Sequence, residues 1–367
     1  DAAAAEVDRL LAAGYANWHV DTVTERTQLR FTKKGRALLH QAPAAPATAT
    51  APAAASAPTA PSAPAAAKAP AAPDRAHDRQ KARRLEESDE LFVALGLSDE
   101  RGQLKPSRVA KYRQVERFLA ALEPMVAAAA PAGRPMRVVD LGCGNAYLTF
   151  AAHRYLSLRG LDVQTVGVDV SVSARGRNTA VVDRLGLAGR LRFVDATIAG
   201  VELGQRPDLV LALHACDTAT DDALARAVRW QAPVILAAPC CHHDLQRQLR
   251  AATVPPAYRL VTRHGILRER LADLLTDALR AAVLRLVGYR VEVIEFVDSA
   301  HTPRNAMIRA VRTGMPPGPD VHAAYQELVR AWQVRPALAD RLADLLTDQP
   351  RQAGQVPVDQ AGTVAGG

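Results

Sequence analysis

From residue 137 onward, short apolar runs alternate with amphipathic stretches, and this alternation restricts the fold more than any other feature of the chain. Runs rich in Val, Ile and Leu, without polar alternation, are typical of parallel strands that are buried on both faces. Such runs predict strands at 137–142, 163–171, 191–198, 208–216 and 233–241. The stretches between them, such as 147–158, 173–185 and 220–230, have helical periodicity. The sequence therefore predicts an α/β fold, a parallel sheet with helices on both faces.

A hairpin is predicted at the end of this sheet. A long helix, 267–287, leads to two further strands, 289–298 and 305–312. The turn between these strands, HTPR, is short, and strands joined by a short turn run antiparallel. The five parallel strands and this hairpin together give a sheet of seven strands.

The rest of the chain divides by composition. Residues 42–73 consist almost only of Ala, Pro, Ser and Thr, which predicts an extended linker. Helices are predicted at 87–95 and 107–129, within a basic segment. The predicted divisions are a small α+β fragment with a short helix and two strands (1–41), the linker (42–73), the basic helical segment (74–133), the sheet domain (134–315) and a helical tail with a disordered end (316–367).

Charge and cysteine content limit the class of protein. The formal net charge is +8, which suits a polyanionic partner but is weak evidence by itself. Residues 101–117 hold six Lys or Arg against one acid, so they predict either a solvated helix face or a rim for a phosphate backbone. Four cysteines are too few for a disulfide framework, and no apolar run approaches the length of a membrane span. We therefore expect a reduced, cytoplasmic protein with no membrane partner.

The first strand leads into a glycine-rich turn, in the sequence VVDLGCGNAYLTF. Gly142 and Gly144 allow the backbone to turn tightly and to approach a ligand. The dinucleotide fingerprint G-x-G-x-x-G would need glycine at 147, where Tyr147 stands. Asp140 at the strand end would repel a pyrophosphate, whereas it suits a cationic ligand that carries an amino acid. S-adenosylmethionine is such a ligand.

Acids also end the next two predicted strands. Asp169 is placed to accept hydrogen bonds from ribose hydroxyls, and Asp195 to accept from an adenine amino group. With the glycine turn, this pattern resembles the class I S-adenosylmethionine-dependent methyltransferases over residues 134–313, whose fold is a Rossmann-like seven-stranded sheet. The resemblance implies S-adenosylmethionine as the cofactor. The residues that we assign to cofactor binding are Asp140, Gly142, Gly144, Asn145, Asp169, Asp195 and His214.

A second group of polar residues follows the fourth and fifth strands, in LHACDTATDDAL and APCCHHDL. Ligands of an open α/β sheet bind outside the carboxyl ends of its strands, so both motifs should meet at one edge, beside the transferable methyl group. The candidate catalytic residues are His214, Asp217, Cys240, Cys241 and His242.

Four interpretations of this cluster stay open. In the first, His214, Asp217 or His242 acts as a base or orients the acceptor. In the second, a thiolate attacks a pyrimidine ring, as the resemblance of APC to RNA cytosine-5 methyltransferase motifs suggests. In the third the cysteines and histidines bind zinc, and in the fourth small thiols pack under the sheet. No C-x-x-C pair is present, and adjacent CC and HH rarely all bind one ion, so we name no metal ligand.

The two motifs together, H-x-C-D-x-A-T-D and C-C-H-H, resemble those of the eukaryotic tRNA 2′-O-methyltransferases that act on the acceptor stem. Asp217 stands where that family has glycine, and the family's zinc-finger modules are missing from this sequence. We therefore predict an S-adenosylmethionine-dependent methyltransferase that acts on RNA, either tRNA or rRNA. A small-molecule or protein methyltransferase and a non-catalytic binding protein of the same fold are the alternatives.

Overall fold

The computed structural model describes two compact units, Asp1–Ala76 and His77–Gly367. The described residues are 17–21, 25–31, 37–43, 83–213, 215–296, 305–315 and 317–347. The predicted N-terminal helix, His214, the HTPR turn and the end of the predicted tail lie outside these ranges.

The first unit contains a three-stranded antiparallel sheet. Its strands are β1 (Asn17–Asp21), β2 (Glu25–Phe31) and β3 (Ala37–Pro43), with β2 in the centre. The sequence predicts only two of these strands. The third, ALLHQAP, runs two residues into the predicted linker, because its pairing with β2 continues to Glu25 opposite Pro43.

The second unit is built on a seven-stranded sheet with the order β6-β5-β4-β7-β8-β10-β9. Strands β4 to β8 are parallel, and β10 is antiparallel to both of its neighbours, β8 and β9. The strands are β4 (Met136–Leu141), β5 (Val163–Asp169), β6 (Leu191–Asp195), β7 (Leu209–Ala212), β8 (Val234–Ala237), β9 (Tyr289–Glu295) and β10 (Ala306–Arg312). This confirms the predicted α/β fold, a Rossmann-like sheet of the class I methyltransferase type.

Helices cover both faces of this sheet. Alternate residues of β4 point to opposite faces, so that Val138 lies in one hydrophobic core and Val139 in the other. The helices are α1 (Glu90–Ala94), α2 (Val109–Leu122), α3 (Val126–Ala129), α4 (Tyr147–Leu158), α5 (Val172–Arg184), α6 (Thr218–Arg229), α7 (His243–Ala251), α8 (Arg259–Thr262), α9 (Gly265–Leu286), α10 (Pro319–Trp332), α11 (Ala337–Arg341) and α12 (Ala343–Thr347). None of the described helices is both long and apolar enough to cross a membrane.

The segment before the sheet shares a core with it. Phe92 of α1 and Phe118 of α2 are fully buried, in the same cluster as Val138 of β4 and Phe150 of α4. The single helix predicted over 107–129 is wrong, because its last turns are interrupted at Glu123–Met125, where Pro124 lacks the amide hydrogen that an α-helix needs.

The two strands that precede the cysteine motifs each end four residues before their predicted ends. The runs 208–216 and 233–241 give strands that end at Ala212 and Ala237. The last hydrogen bond between the two strand segments runs from the amide of Ala238 to the carbonyl of Ala212. Beyond it the chains leave the sheet, so the cysteine and histidine motifs lie on loops.

Candidate active site

The glycine turn between β4 and α4 forms an open cradle. Gly142 and Gly144 have φ values of +74° and +52°, which glycine adopts without strain. A Cβ on Gly144 would meet no heavy atom within 4 Å, whereas one on Gly142 would lie 3.5 Å from Ala215, in the loop after β7. The cradle therefore opens at Gly144 and adjoins the cysteine motif at Gly142.

Asp140 is buried beneath this cradle, with 1% of its surface exposed. Its Oδ2 accepts a hydrogen bond from Thr149, and its Oδ1 is buried without a partner among the described residues. Burial raises the pKa of Asp140 to about 7; the hydrogen bond from Thr149 lowers this pKa, and the charge of Asp169 raises it. A buried acceptor without a donor is costly, and a bound cation would satisfy it.

Asp169, at the end of β5, fixes the shape of the cradle. Its Oδ2 accepts from the amide of Gly144 and its Oδ1 from the amide of Ser171, each at 2.8 Å. Each carboxylate oxygen has two acceptor sites, so one site on each oxygen remains for a ligand. Asp169 can therefore hold the loop and accept from hydroxyl groups at once.

Asp195 lies opposite Asp169 in the ladder between β5 and β6. Its Oδ2 is 2.6 Å from Nη1 of Arg175, on α5. Asn145 is also engaged by α5, because its side-chain oxygen accepts from Nη2 of Arg177 at 2.9 Å. Both predicted cofactor residues thus border the cradle with cationic partners from one helix.

Three of the four cysteines meet at the edge formed by the loops after β7 and β8. The sulfur of Cys240 lies 3.4 Å from that of Cys216 and 3.8 Å from that of Cys241, and all three sulfurs lie within 4.8 Å of one another. Burial, and then the neighbouring thiols, raise the pKa of Cys240 to about 12. Cys240 is therefore a neutral thiol near pH 7 in the metal-free chain, which disfavours its role as a thiolate nucleophile.

Asp217 holds the first of these loops in place. Its φ of +52° is one that glycine favours and that other residues rarely adopt. Its Oδ1 accepts from the amide of Asp244 in the first turn of α7, at 3.0 Å. Its backbone carbonyl accepts from Nη2 of Arg280, on α9. The carboxylate therefore joins the two motif loops.

His242 is buried, and two carboxylates of α9 face its ring. Its Nε2 lies 3.0 Å from Asp277 and its Nδ1 lies 3.4 Å from Asp273. Burial lowers the pKa of His242, but the hydrogen bonds to Asp273 and Asp277 outweigh this effect and raise it overall. The ring thus anchors the second motif loop to α9.

Arg280 completes the buried network. It is 2% exposed, and it binds Asp221 through two parallel hydrogen bonds of 3.0 and 2.8 Å. It also contacts Asp277 at 3.3 Å. The A-T-D end of the first motif is therefore structural, since Thr220 donates to the carbonyl of Ala215 and Asp221 binds α9.

Comparison with known proteins gives one family match and several similar solved structures. Residues 110–248 match a family model described as a methyltransferase domain. No curated protein matches the chain significantly. A solved rRNA methylase from Streptococcus thermophilus is 12% identical, with a TM-score of 0.36, over 53% of this chain and 95% of its own. A geranyl diphosphate methyltransferase is 15% identical, with a TM-score of 0.37, over 64% and 95%.

Residues 110–248 thus form a methyltransferase domain, and S-adenosylmethionine is its cofactor. The residues of the cradle fit this cofactor. Asp140 provides an unpartnered buried acceptor for a cationic group, Asp169 has acceptor sites free for ribose hydroxyls, and Gly144 leaves room where a Cβ would stand. When bound, S-adenosylmethionine supplies an electrophilic methyl group on a sulfonium.

Sequence patterns missed several residues of the methyltransferase site. Thr149 binds Asp140, and Asn178 binds the carbonyl of Gly144. Thr149 lies within the glycine-turn sequence but was not singled out there, and Asn178 lies on a helix without a motif. Asp273, Asp277 and Arg280 belong to α9, far along the chain. The one available signal was the octapeptide RLADLLTD at 270–277, whose two acids lie one helical turn apart and face His242.

Proposed function

We propose that the acceptor is RNA, tRNA or rRNA, and that the basic face of residues 101–117 binds its phosphate backbone. The exposed residues of this face include Arg101, Lys105, Arg108 and Arg113. Within the described part of the chain, none of the four forms an ion pair with a carboxylate. Cations without a carboxylate partner are available for phosphates, and they attract RNA at low salt.

The position of this face relative to the cradle carries the proposal. Lys111 of α2 lies over the ring of Tyr147, with its Nζ 4.8 Å from the ring centroid. Gln114, one turn further along α2, accepts a hydrogen bond from the hydroxyl of Tyr147. Tyr147 is the first residue of α4, three positions after Gly144. An RNA backbone on α2 would therefore lie next to the bound methyl donor.

The resemblance of the two cysteine motifs to those of tRNA 2′-O-methyltransferases supports tRNA among RNA acceptors. The cytoplasmic location predicted from the sequence also suits an RNA-modifying enzyme.

Of the candidate catalytic residues, we assign Asp217 and His242 to positioning, because both hold loops in place. His214 remains the candidate base for the acceptor proton, and Cys240 and Cys241 lie at the same edge. Orientation of the acceptor in line with the methyl group would supply most of the rate enhancement.

The direct test is methyl transfer from labelled S-adenosylmethionine to a crude cell extract. After transfer, the products are divided between ribonuclease and protease. Label released by ribonuclease supports the proposal, and digestion to nucleosides then distinguishes ribose from base. Label that resists ribonuclease but is released by protease, or that appears in small metabolites, contradicts it.

The role of the basic face is tested by a triple variant, Arg101→Ala, Lys105→Ala and Arg108→Ala. We expect weaker RNA binding and a salt dependence of log K that is less steep by about two, because about three phosphate contacts are lost. Cofactor affinity should not change. The matched control removes three exposed arginines from α8 and α9, Arg259, Arg263 and Arg270. An equal loss in both variants would show that total charge matters and that the position of these three cations does not.

A further inference from the structure

The thiols of Cys216, Cys240 and Cys241 form a compact group at the edge of the sheet. They come from two loops, and 24 positions separate Cys216 from Cys240 in sequence. Cys216 is exposed, so simple packing of buried thiols does not account for the group. Among the described residues, these are the ones whose ligand atoms converge as a metal site would require.

The sulfur positions match a tetrahedral metal ion. Zinc binds thiolates at about 2.3 Å, so two sulfurs on one tetrahedral ion lie about 3.8 Å apart. The observed separations are 3.4 and 3.8 Å, and the third lies within 4.8 Å. The sulfurs of Cys216 and Cys240 are also well beyond the roughly 2.05 Å of a disulfide bond. We propose that Cys216, Cys240 and Cys241 bind a zinc ion.

The two loops are held so that the thiols stay together without an ion. Asp217, next to Cys216, joins the first loop to the amide of Asp244. His242, next to Cys241, is anchored to Asp277 of α9. These contacts fix the backbone of both loops beside the cysteines and therefore limit how far the three thiols can move apart.

Three cysteine ligands leave one position of a tetrahedral ion for another donor. Structural zinc sites in proteins are closed by four protein ligands, whereas sites with three ligands take water or a substrate atom in the fourth position. Ala215, which precedes Cys216, is the residue against which Gly142 of the cradle packs. The ion would therefore face the cofactor side of the sheet edge. An oxygen, nitrogen or sulfur atom of the methyl acceptor would then occupy the fourth coordination position.

The test is the metal content of the full-length chain, expressed with added zinc and purified without chelators or metal resins. We expect about one zinc ion per chain. Cys216→Ser, Cys240→Ser and Cys241→Ser should each lose most of it, as measured by elemental mass spectrometry. Cys143→Ser is the matched control, because Cys143 is buried under β5 beside Gly167 and should leave the zinc content unchanged.

A second measurement covers variants that fail to fold. Metal-free wild-type chain, whose fold is checked by circular dichroism, is titrated with Co²⁺. A thiolate-to-cobalt charge-transfer band that zinc abolishes supports the site. The proposal is overturned if no such band forms or if the wild-type chain stays metal-free after zinc addition. It is also overturned if the purified protein contains copper in place of zinc, or a disulfide between Cys216 and Cys240. None of these outcomes depends on whether RNA is the acceptor.

Discussion

At the residue scale, the charge of Asp140 sets the affinity of the cradle for a cationic ligand. The carboxyl is buried, one of its oxygens has no described partner, and its pKa is about 7. An ionised Asp140 attracts the cationic cofactor, whereas a protonated Asp140 does not. Without cofactor, the raised pKa of Asp140 also affects stability. Between about pH 4 and pH 7 this carboxyl is ionised in the unfolded state but still protonated in the folded state. The free energy of unfolding therefore falls as pH rises through this range.

We therefore expect the affinity for S-adenosylmethionine to fall as the pH is lowered from 8 to 6, by up to about tenfold per unit below the pKa. Asp140→Asn should bind about 10- to 150-fold more weakly at pH 8, because a hydrogen bond to a charged group is lost. Its binding should also be nearly independent of pH. Isothermal titration calorimetry at three pH values measures both effects. Wild-type affinity that does not vary with pH would exclude this role of Asp140.

Two glycines offer a matched pair that separates binding from stability. At Gly144 a Cβ has open space, so Gly144→Ala should cost about 1 kcal/mol for its positive φ and weaken cofactor binding by filling the cradle. At Gly167 a Cβ would lie 2.4 Å from the ring of Phe193 and 3.0 Å from the sulfur of Cys143. Gly167→Ala should therefore lower the free energy of unfolding by about 1–3 kcal/mol. Thermal unfolding and cofactor titration of both variants check the contrast, which fails if Gly144→Ala binds normally.

At the element scale, α9 holds the loops of the methyltransferase site through charges that are buried. Arg280 binds Asp221 of α6 and the carbonyl of Asp217, while Asp277 binds His242. A buried ion pair adds little to stability compared with well-packed apolar residues, but removal of one partner leaves an uncompensated charge. The network therefore acts as a fixed connection between α9 and both motif loops.

Arg280→Met should lower the free energy of unfolding by about 3–5 kcal/mol, since Asp221 and Asp277 lose their cation. Denaturant unfolding measures the loss. Arg270→Met, at an exposed position of the same helix, is the control and should change stability by less than about 0.5 kcal/mol. If the double variant Arg280→Met, Asp221→Leu is no more stable than Arg280→Met alone, the loss does not come from the unpaired charge.

These elements also show what the sequence could and could not predict. The five parallel strands and the cradle were predictable because their signals are local: an apolar run for each buried strand, and D-x-G-x-G for the turn. The network was not, because Arg280 and Asp221 are 59 positions apart and no local pattern joins them. Strand β3 was missed for a similar reason, since its stability depends on pairing with β2. Strands β7 and β8 were predicted too long, because the apolar residues continue past the last hydrogen bond between these two strands.

At the scale of the whole molecule, every described contact of the methyltransferase site lies within the unit His77–Gly367. A chain that starts at His77 should therefore bind S-adenosylmethionine within about twofold of the full chain and unfold in one transition. Calorimetry of both chains checks this. A loss of more than tenfold on removal of Asp1–Ala76 would show that the first unit takes part in the cofactor site.

The position of β10 has a consequence for how the protein is made. Residues 306–312 come after both β8 and β9 in the chain, yet they lie between them in the sheet. A growing chain on the ribosome therefore cannot close its sheet until residue 312 has left the exit tunnel, and until then β8 presents an apolar, unpaired edge of sequence VILA. While residues 238–312 are being synthesised, this open edge is a site at which the nascent chain can aggregate unless a chaperone covers it.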